Sequence, residues 1–242
     1  MRRCLRPLDI RMTLRRRFYK EVSLTPQLGI ALDRKPVRTP GKRFLVLPNA
    51  ELAAGIAGEW ESQAGTIKPA SMPLTKLANA AIDRVAPERK RIIAEIIDYA
   101  GSDLVCYRAE GPQALVERQV GQWNPILAWA RSELEVSLKT FTGVVHRPQP
   151  NEALESLGRI FAAADDFTLT GLYNIMTLTG SVLLALMLAR GRISPDDAWP
   201  AAHVDEDFQI EHWGEDEEAR DRRENRRKEF DACCRFIKLA AP

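Results

Sequence analysis

The sequence lacks the motifs on which most catalysis and nucleotide binding depend. It contains only three histidines among 242 residues, and no Gly-x-Ser-x-Gly, no Gly-x-Gly-x-x-Gly and no glycine-rich loop ending in Lys-Ser or Lys-Thr. Nucleophilic catalysis needs an activated nucleophile beside a base, and phosphate binding needs clustered backbone amides at a helix start. The absences argue against a common serine hydrolase and against the use of ATP or a dinucleotide, so we expect no cofactor and no enzymatic activity.

Cysteine, one-sided charge and long apolar runs are scarce as well. The four cysteines form no Cys-x-x-Cys motif, and a disulfide between the adjacent Cys233 and Cys234 would be strained, so we expect reduced thiols. The 35 basic and 33 acidic residues nearly cancel to a net charge of +2, which gives no overall field to attract nucleic acid or an anionic membrane. The longest apolar run, Ser181 to Ala189, is about half of the ~20 residues that a membrane span needs, so we expect no stable membrane insertion.

Charge is nevertheless concentrated at the N-terminus. Residues 1–17 are rich in arginine and contain one acidic residue, Asp9, and we expect them to form a basic, disordered extension. Three origins fit: an organellar transit peptide, a bacterial extension, or a start codon assigned upstream of Met12. Because the segment is short and poor in serine, the bacterial cytoplasm is favoured over the mitochondrial matrix. A nucleic-acid-binding adaptor that uses this segment is a further alternative.

The hydrophobic period changes near residue 50. Between Tyr19 and Pro48, short strand-like segments alternate with turn residues, which is typical of an antiparallel meander. Beyond Pro48 the period is about 3.6 residues, which indicates helices. The fold class is therefore α+β, with a small antiparallel β domain over 18–60 and a larger all-helical C-terminal domain over 61–242. We expect helices near 49–65, 73–85, 89–100, 112–131 (bent or interrupted at Trp123-Asn124-Pro125), 151–164, 168–190, from Ser194 onward, and 222–239.

The segment from residue 199 to residue 218 is strongly acidic and also contains aromatic residues. A helix there would carry an apolar stripe through Val204 and Phe208, with carboxylates on its other sides. Trp213 lies among carboxylates and is followed by Gly214, a costly place for a large apolar ring unless the fold or a partner covers it. The pattern favours a binding surface over an active site. The alternative is a metal-dependent hydrolase using the His203–His212 cluster, in which His203, Asp207 and Glu211 would share one helix face.

Several spaced segments bear a family likeness. They are Gly29-Ile-Ala-Leu-Asp-Arg-Lys-Pro-Val-Arg-Thr-Pro40; Glu59-Trp60-Glu61-Ser62-Gln63; Met72-Pro-Leu-Thr-Lys-Leu-Ala78 with Ala81-Ile82-Asp83; Asp103-Leu-Val-Cys-Tyr-Arg-Ala109; Gln119 with Trp123-Asn124-Pro125; and Phe208-Gln209 with Trp213-Gly214. Together they span residues 18–237 and resemble the assembly chaperones dedicated to the α subunit of F1-ATP synthase. At Asp33-Arg34-Lys35 the chain departs from the Asp-Gly that the family often carries, which leaves the turn type open.

The resemblance implies a β-rich N-terminal domain, a helical C-terminal domain and a non-enzymatic activity. It implies a holdase that binds unassembled F1 α subunit and prevents its aggregation until the β subunit replaces it. Subunits of obligate complexes carry large apolar interfaces that aggregate when unpaired. We expect a free monomer, without a metal, that binds its partner through α-helical residues of the acidic segment: Asp205, Asp207, Phe208, Glu211 and Trp213.

Overall fold

A computed structural model of the chain describes residues 15–143 and 145–241, with the side chain of Arg15 left out. The predicted extension over 1–17 therefore lies largely outside the described residues. The strands are β1 (Arg15–Arg16), β2 (Val22–Leu24), β3 (Ile30–Leu32), β4 (Lys35–Pro36), β5 (Thr66–Ile67), β6 (Tyr107–Arg108) and β7 (Phe141–Thr142). The helices are α1 (Ala50–Glu61), α2 (Pro73–Ala80), α3 (Ala86–Ala100), α4 (Gln113–Leu134), α5 (Asn151–Ala163), α6 (Asp166–Thr179), α7 (Val182–Ala189), α8 (Pro195–Ala202), α9 (Val204–Trp213) and α10 (Glu217–Ala240).

The predicted meander is present as a three-stranded antiparallel sheet in the order β2-β3-β4. Isolated bridges from Gly29 to Val46 and from Arg38 to Phe44 add the segment 44–47 to it. The β3–β4 turn has positive φ at both central residues, 47° at Asp33 and 64° at Arg34, which is the backbone of a type I′ hairpin. Arg34 therefore occupies a position that favours glycine. The Asp33 carboxylate accepts hydrogen bonds from the backbone amides of Lys20 and Glu21, both at 3.0 Å, and ties the turn to the start of the sheet.

The helical part confirms most predicted helix boundaries. The Asn49 side chain accepts a hydrogen bond from the Leu52 amide at the start of α1, and the Ser194 hydroxyl accepts one from the Asp197 amide at the start of α8. The α+β class predicted from the period change is confirmed. Among the described helices, none combines the length and the apolar character needed to cross a bilayer.

Three helix predictions differ from the structure. The single helix predicted over 168–190 is two helices, because Gly180 ends α6 with a left-handed φ of 72° and the Ser181 hydroxyl caps α7. The helices predicted near 73–85 and 89–100 are joined through a π-helical turn, Ala81–Val85. Helix α4 is continuous across Pro125, so of the bend or interruption predicted there the interruption is wrong.

The core runs through both parts of the chain. Helix α1 packs against β2 and β3 and also against α2 and α10, and α6 packs against α7 and α10. Helix α7 is buried on all sides from Val182 to Met187, as expected for a central helix. The proposed division between 18–60 and 61–242 stays a prediction.

Candidate functional site

The acidic segment forms helix α9, which lies against α4 and α10. It follows α8 directly at His203 and ends at Gly214, whose φ of 78° stops the helix. Val204 and Phe208 are buried, so the apolar stripe predicted for this helix faces the core. The other sides of α9 carry the carboxylates, and most of these are paired with neighbouring helices.

Two residues of α4 hold one side of α9. The side chain of Gln119 is buried; its Nε2 donates to Asp205 Oδ1 at 2.7 Å, while its Oε1 accepts from the Ala109 amide at 2.8 Å. One residue earlier, the Arg118 guanidinium donates to both carboxylate oxygens of Glu211, at 2.8 and 2.7 Å. This pairing lowers the pKa of Glu211 and keeps it ionised. Asp205 and Glu211 are thereby fixed at opposite ends of α9.

Helix α10 holds the other side. Arg226 Nη2 donates to both oxygens of Glu206, at 2.7 and 2.9 Å, and Arg223 pairs with Asp207. Pairing at a spacing of three or four residues within α10 is also open to arginines on this helix. Arg222 pairs in this way with Glu218, but Arg223 and Arg226 bridge to α9 instead.

Phe208 packs α9 against the interior of the protein. Its ring is buried, the His212 ring stacks on it with centroids 4.1 Å apart, and the Arg118 guanidinium carbon lies 5.5 Å from its centroid. The His212 Nδ1 donates to the Phe208 carbonyl at 2.7 Å. Of the five residues assigned to partner binding, Phe208 thus contributes through packing within the chain.

Trp213 is the exception on this helix, because 76% of its side chain is exposed. It is the last residue of α9, and its ring centroid lies 5.9 Å from that of His212. Of the other tryptophans, Trp60, Trp123 and Trp199 are buried and Trp129 is half-buried. The end of α9 therefore presents a large apolar ring to the exterior, two residues after the ionised Glu211.

A cavity of about 260 Å³ opens beside the start of α9. Its walls include the buried Trp123 and His203, the turn at Gly180, and the Glu206–Arg226 ion pair. Burial lowers the pKa of His203, and its Nδ1 donates to the Trp199 carbonyl at 2.8 Å. The imidazole is therefore held neutral by the fold.

The metal-hydrolase alternative finds no donor set in the described residues. Of the three predicted ligands, His203 is turned toward Trp199, Asp207 pairs with Arg223, and Glu211 pairs with Arg118. Within 15–143 and 145–241, no three His, Cys, Asp or Glu side chains are grouped so that they could hold one metal ion. Each carboxylate is instead used to fix α9.

Sequence reasoning missed the α4 side of this site. Gln119 belongs to one of the segments that carry the family resemblance, but its role depends on Asp205, which lies 86 residues later in the chain. The available signal was the type of residue: a glutamine on the buried face of an amphipathic helix needs hydrogen-bond partners.

Comparisons with known proteins point to one family. The family model described as ATP12 chaperone protein matches residues 16–131. Protein atp12, mitochondrial, of Schizosaccharomyces pombe is 23% identical over 219 residues, covering 84% of this chain and 75% of that protein. The crystal structure of Atp12 from Paracoccus denitrificans superposes with a TM-score of 0.88 at 40% identity, covering 93% of this chain and 98% of that one. A protein from Agrobacterium tumefaciens to which a chaperone role is attributed superposes with a TM-score of 0.89 at 39% identity, covering 94% and 87%.

Proposed function

Because this chain belongs to the ATP12 chaperone family, we propose that it acts in assembly of F1-ATP synthase by binding the unassembled α subunit and preventing its aggregation. The family resemblance predicted from the spaced sequence segments is confirmed. The α subunit as the client (the protein that the chaperone holds) and the suppression of aggregation are the proposed part. The activity is stoichiometric binding without turnover, by a free monomer.

Trp213 is the observation that carries the proposal. An exposed tryptophan at the end of a helix is a typical anchor of a protein interface, because its burial supplies much affinity at low entropic cost. Here α9 is fixed by α4 and α10 before any client arrives, so little ordering is needed on binding. We assign direct client contact to Trp213 and Glu211, and we assign Asp205, Asp207 and Phe208 the role of holding α9 in position.

The physical task is to cover an apolar interface for a limited time. A subunit of an obligate complex exposes such an interface until its partner arrives, and a binder that occupies it competes with self-association by mass action. Ionised carboxylates around the anchor speed encounter and set orientation more than they add affinity. Relatives occur in a bacterium and in mitochondria, and we place this chain in the bacterial cytoplasm, with the mitochondrial matrix as the alternative.

The test replaces Glu211 and Trp213 together by alanine. Purified α subunit is diluted from denaturant, and light scattering is recorded against chaperone concentration. We expect the E211A/W213A variant to need roughly ten-fold more protein for half-suppression, because loss of an anchoring tryptophan commonly costs more than 1 kcal/mol. Its circular dichroism and thermal midpoint should match those of the wild type.

The matched control is E155A/V145A, which removes an exposed carboxylate and an exposed apolar side chain elsewhere. It should suppress aggregation like the wild type. If E211A/W213A also does so, the assignment of the site is wrong. If the wild type itself neither suppresses aggregation nor captures α subunit, the proposed function is wrong.

A further inference from the structure

The strand-like segment 44–47 has apolar residues on both faces. Leu45 and Leu47 point inward and are 1% and 4% exposed, as the core requires. Phe44 and Val46 alternate with them and are 51% and 43% exposed. Outward positions of a one-sided sheet normally carry polar residues, so the buried core does not account for these two side chains.

The same sheet carries cations that lack ion-pair partners. Arg34 and Lys35 lie at the β3–β4 turn, and Arg38 and Lys42 flank Phe44; all four are exposed. No ion pair involves any of them in the part of the chain that the structure describes. The arginines around α9 differ, since Arg118, Arg223 and Arg226 each meet a carboxylate.

Internal contacts fix the position of this surface. The Arg38 guanidinium carbon lies 4.0 Å from the centroid of the Phe44 ring, and its Nη1 donates to the Lys42 carbonyl at 2.8 Å. Asp83, in the π-helical turn, accepts from the Thr39 hydroxyl at 2.8 Å and from the Gly41 amide at 2.7 Å. A Cβ on Gly41 would lie 2.5 Å from the Asp83 carboxylate, so a larger residue there would displace this carboxylate. The turn beside Phe44 is thereby anchored to the helical part.

We propose that Arg34, Lys35, Arg38, Lys42, Phe44 and Val46, named here the cationic-aromatic surface, are a second docking surface that takes an acidic, apolar segment of the client. This inference rests on the proposed function. Exposed cations that form no ion pair, among them Arg38 with its guanidinium carbon 4.0 Å from the Phe44 ring centroid, are complementary to carboxylates flanking an apolar side chain. An exposed aromatic ring held by an arginine is typical of the centre of a protein interface, whereas phosphate backbones require cations and no apolar centre.

Two variants test the two parts of this surface in the full chain. F44S/V46T removes the apolar centre, and K35E/K42E reverses two charges. The matched controls are V145T, the same substitution at another exposed valine, and K90E/K139E, the same charge change at exposed lysines elsewhere. The readout is suppression of α-subunit aggregation, followed by light scattering at low and at high salt. The E211A/W213A variant is measured in the same assay for comparison. Circular dichroism and thermal midpoints establish that each variant is folded.

We expect both surface variants to need at least about five-fold more protein for half-suppression, while both controls match the wild type. Added salt should weaken the wild type more than K35E/K42E. If the wild type suppresses aggregation and both surface variants do so equally well, the inference is wrong and the proposed function stands. If the wild type does not suppress aggregation, the proposed function fails and this surface with it. Wild-type binding to phosphatidylglycerol vesicles that K35E/K42E abolishes, with unchanged suppression, would assign the surface to a membrane and overturn the inference.

Discussion

The Arg118 guanidinium and the Glu211 carboxylate form a bidentate pair between α4 and the exposed end of α9, two residues before Trp213. The two side chains are 36% and 52% exposed, and ion pairs in such surroundings add little to stability. The geometry of the pair matters more than its energy. It fixes the direction in which the last turn of α9, and with it Trp213, leaves the protein.

Replacing Arg118 by glutamine should therefore loosen the last turn of α9 without lowering the stability of the whole protein. We expect an R118Q variant to keep a thermal midpoint close to that of the wild type, while backbone amides over 209–213 exchange several-fold faster by mass spectrometry. The pKa of Glu211 should return upward to its ordinary range, because the guanidinium that lowers it is gone.

The control for that experiment is R222Q, which breaks an exposed pair with Glu218 inside α10. Exchange over 209–213 should not change in this variant. Equal exchange in R118Q and the wild type would show that α9 is held without the Arg118–Glu211 pair.

Glu59 accepts hydrogen bonds from groups at the start of α2, and these bonds lead to a prediction about stability. Its Oε1 accepts from the Leu74 amide at 2.7 Å, and its Oε2 accepts from the Thr75 amide at 2.8 Å and the Thr75 hydroxyl at 2.7 Å. All these groups are buried, so E59A leaves donors unsatisfied. We expect a loss of about 2–4 kcal/mol in the free energy of unfolding by urea, and a smaller loss for E59Q, which keeps one acceptor.

Glu61, two residues away, provides the comparison because its side chain is exposed. The E61A variant should unfold within about 0.5 kcal/mol of the wild type. If E59A unfolds as the wild type does, the three hydrogen bonds to Glu59 do not stabilise the fold.

Glu59 also illustrates what the sequence could predict. Local sequence signals were sufficient for features that depend on neighbouring residues. The period change located the sheet and the helices, and Asn49 and Ser194 are residue types that favour the start of a helix. The segment around Glu59 was recognised as a family feature without a role. Its role depends on amide groups 15 and 16 residues later, which only the folded arrangement of α1 and α2 brings near.

The errors have similar causes. In an almost entirely apolar stretch the hydrophobic pattern does not change where a helix ends, so a single helix was predicted across Gly180. The local signal was present, because glycine commonly ends a helix and the following Ser181 can cap the next one. For Arg223 and Arg226, partners within α10 were as plausible from spacing as the carboxylates of α9. In the candidate site, the acidic surroundings of Trp213 left open whether the fold or a partner covers its ring, and they gave no sign of the support from Gln119 and Arg118.

The environment of the Asp103 carboxylate predicts that the free energy of unfolding depends on pH. Its carboxylate is fully buried and accepts hydrogen bonds from the Val105, Val182 and Leu183 amides. Burial raises its pKa from 3.8 to about 6, although those hydrogen bonds oppose the rise. The folded protein therefore binds a proton between pH 6 and pH 4 that the unfolded chain does not. This group makes the protein more stable as the pH falls through that window, and the gain is lost as the pH rises.

The measurement compares the wild type with D103N in urea at pH 7 and pH 5. D103N should be less stable at both values because one of the two oxygens that accept from buried amides becomes an NH2 group, which cannot accept. The wild type should gain about 1 kcal/mol relative to D103N between pH 7 and pH 5. A difference that stays constant, or that changes in the opposite direction, would mean that the pKa of Asp103 is not raised.

Gly171 allows the close contact between α6 and α10. A Cβ at this position would lie 2.2 Å from Ile237 Cγ1 and 2.8 Å from its Cδ1, distances that no packed structure tolerates without movement. We expect G171A to lower the free energy of unfolding by about 1–3 kcal/mol, although alanine favours helix over glycine. In the double variant G171A/I237A the clash is absent, so the loss should be smaller than the sum of the two single losses by at least ~1 kcal/mol.

At Gly158 the same substitution should raise the free energy of unfolding instead of lowering it. It lies within α5 with no atom within 4 Å of the position of an added Cβ. Because only helix propensity changes there, G158A should raise the free energy of unfolding by about 0.5–1 kcal/mol. The difference between the two glycines follows from interhelical contact alone. If G171A were as stabilising as G158A, α6 and α10 would have to be farther apart than the contact with Ile237 places them.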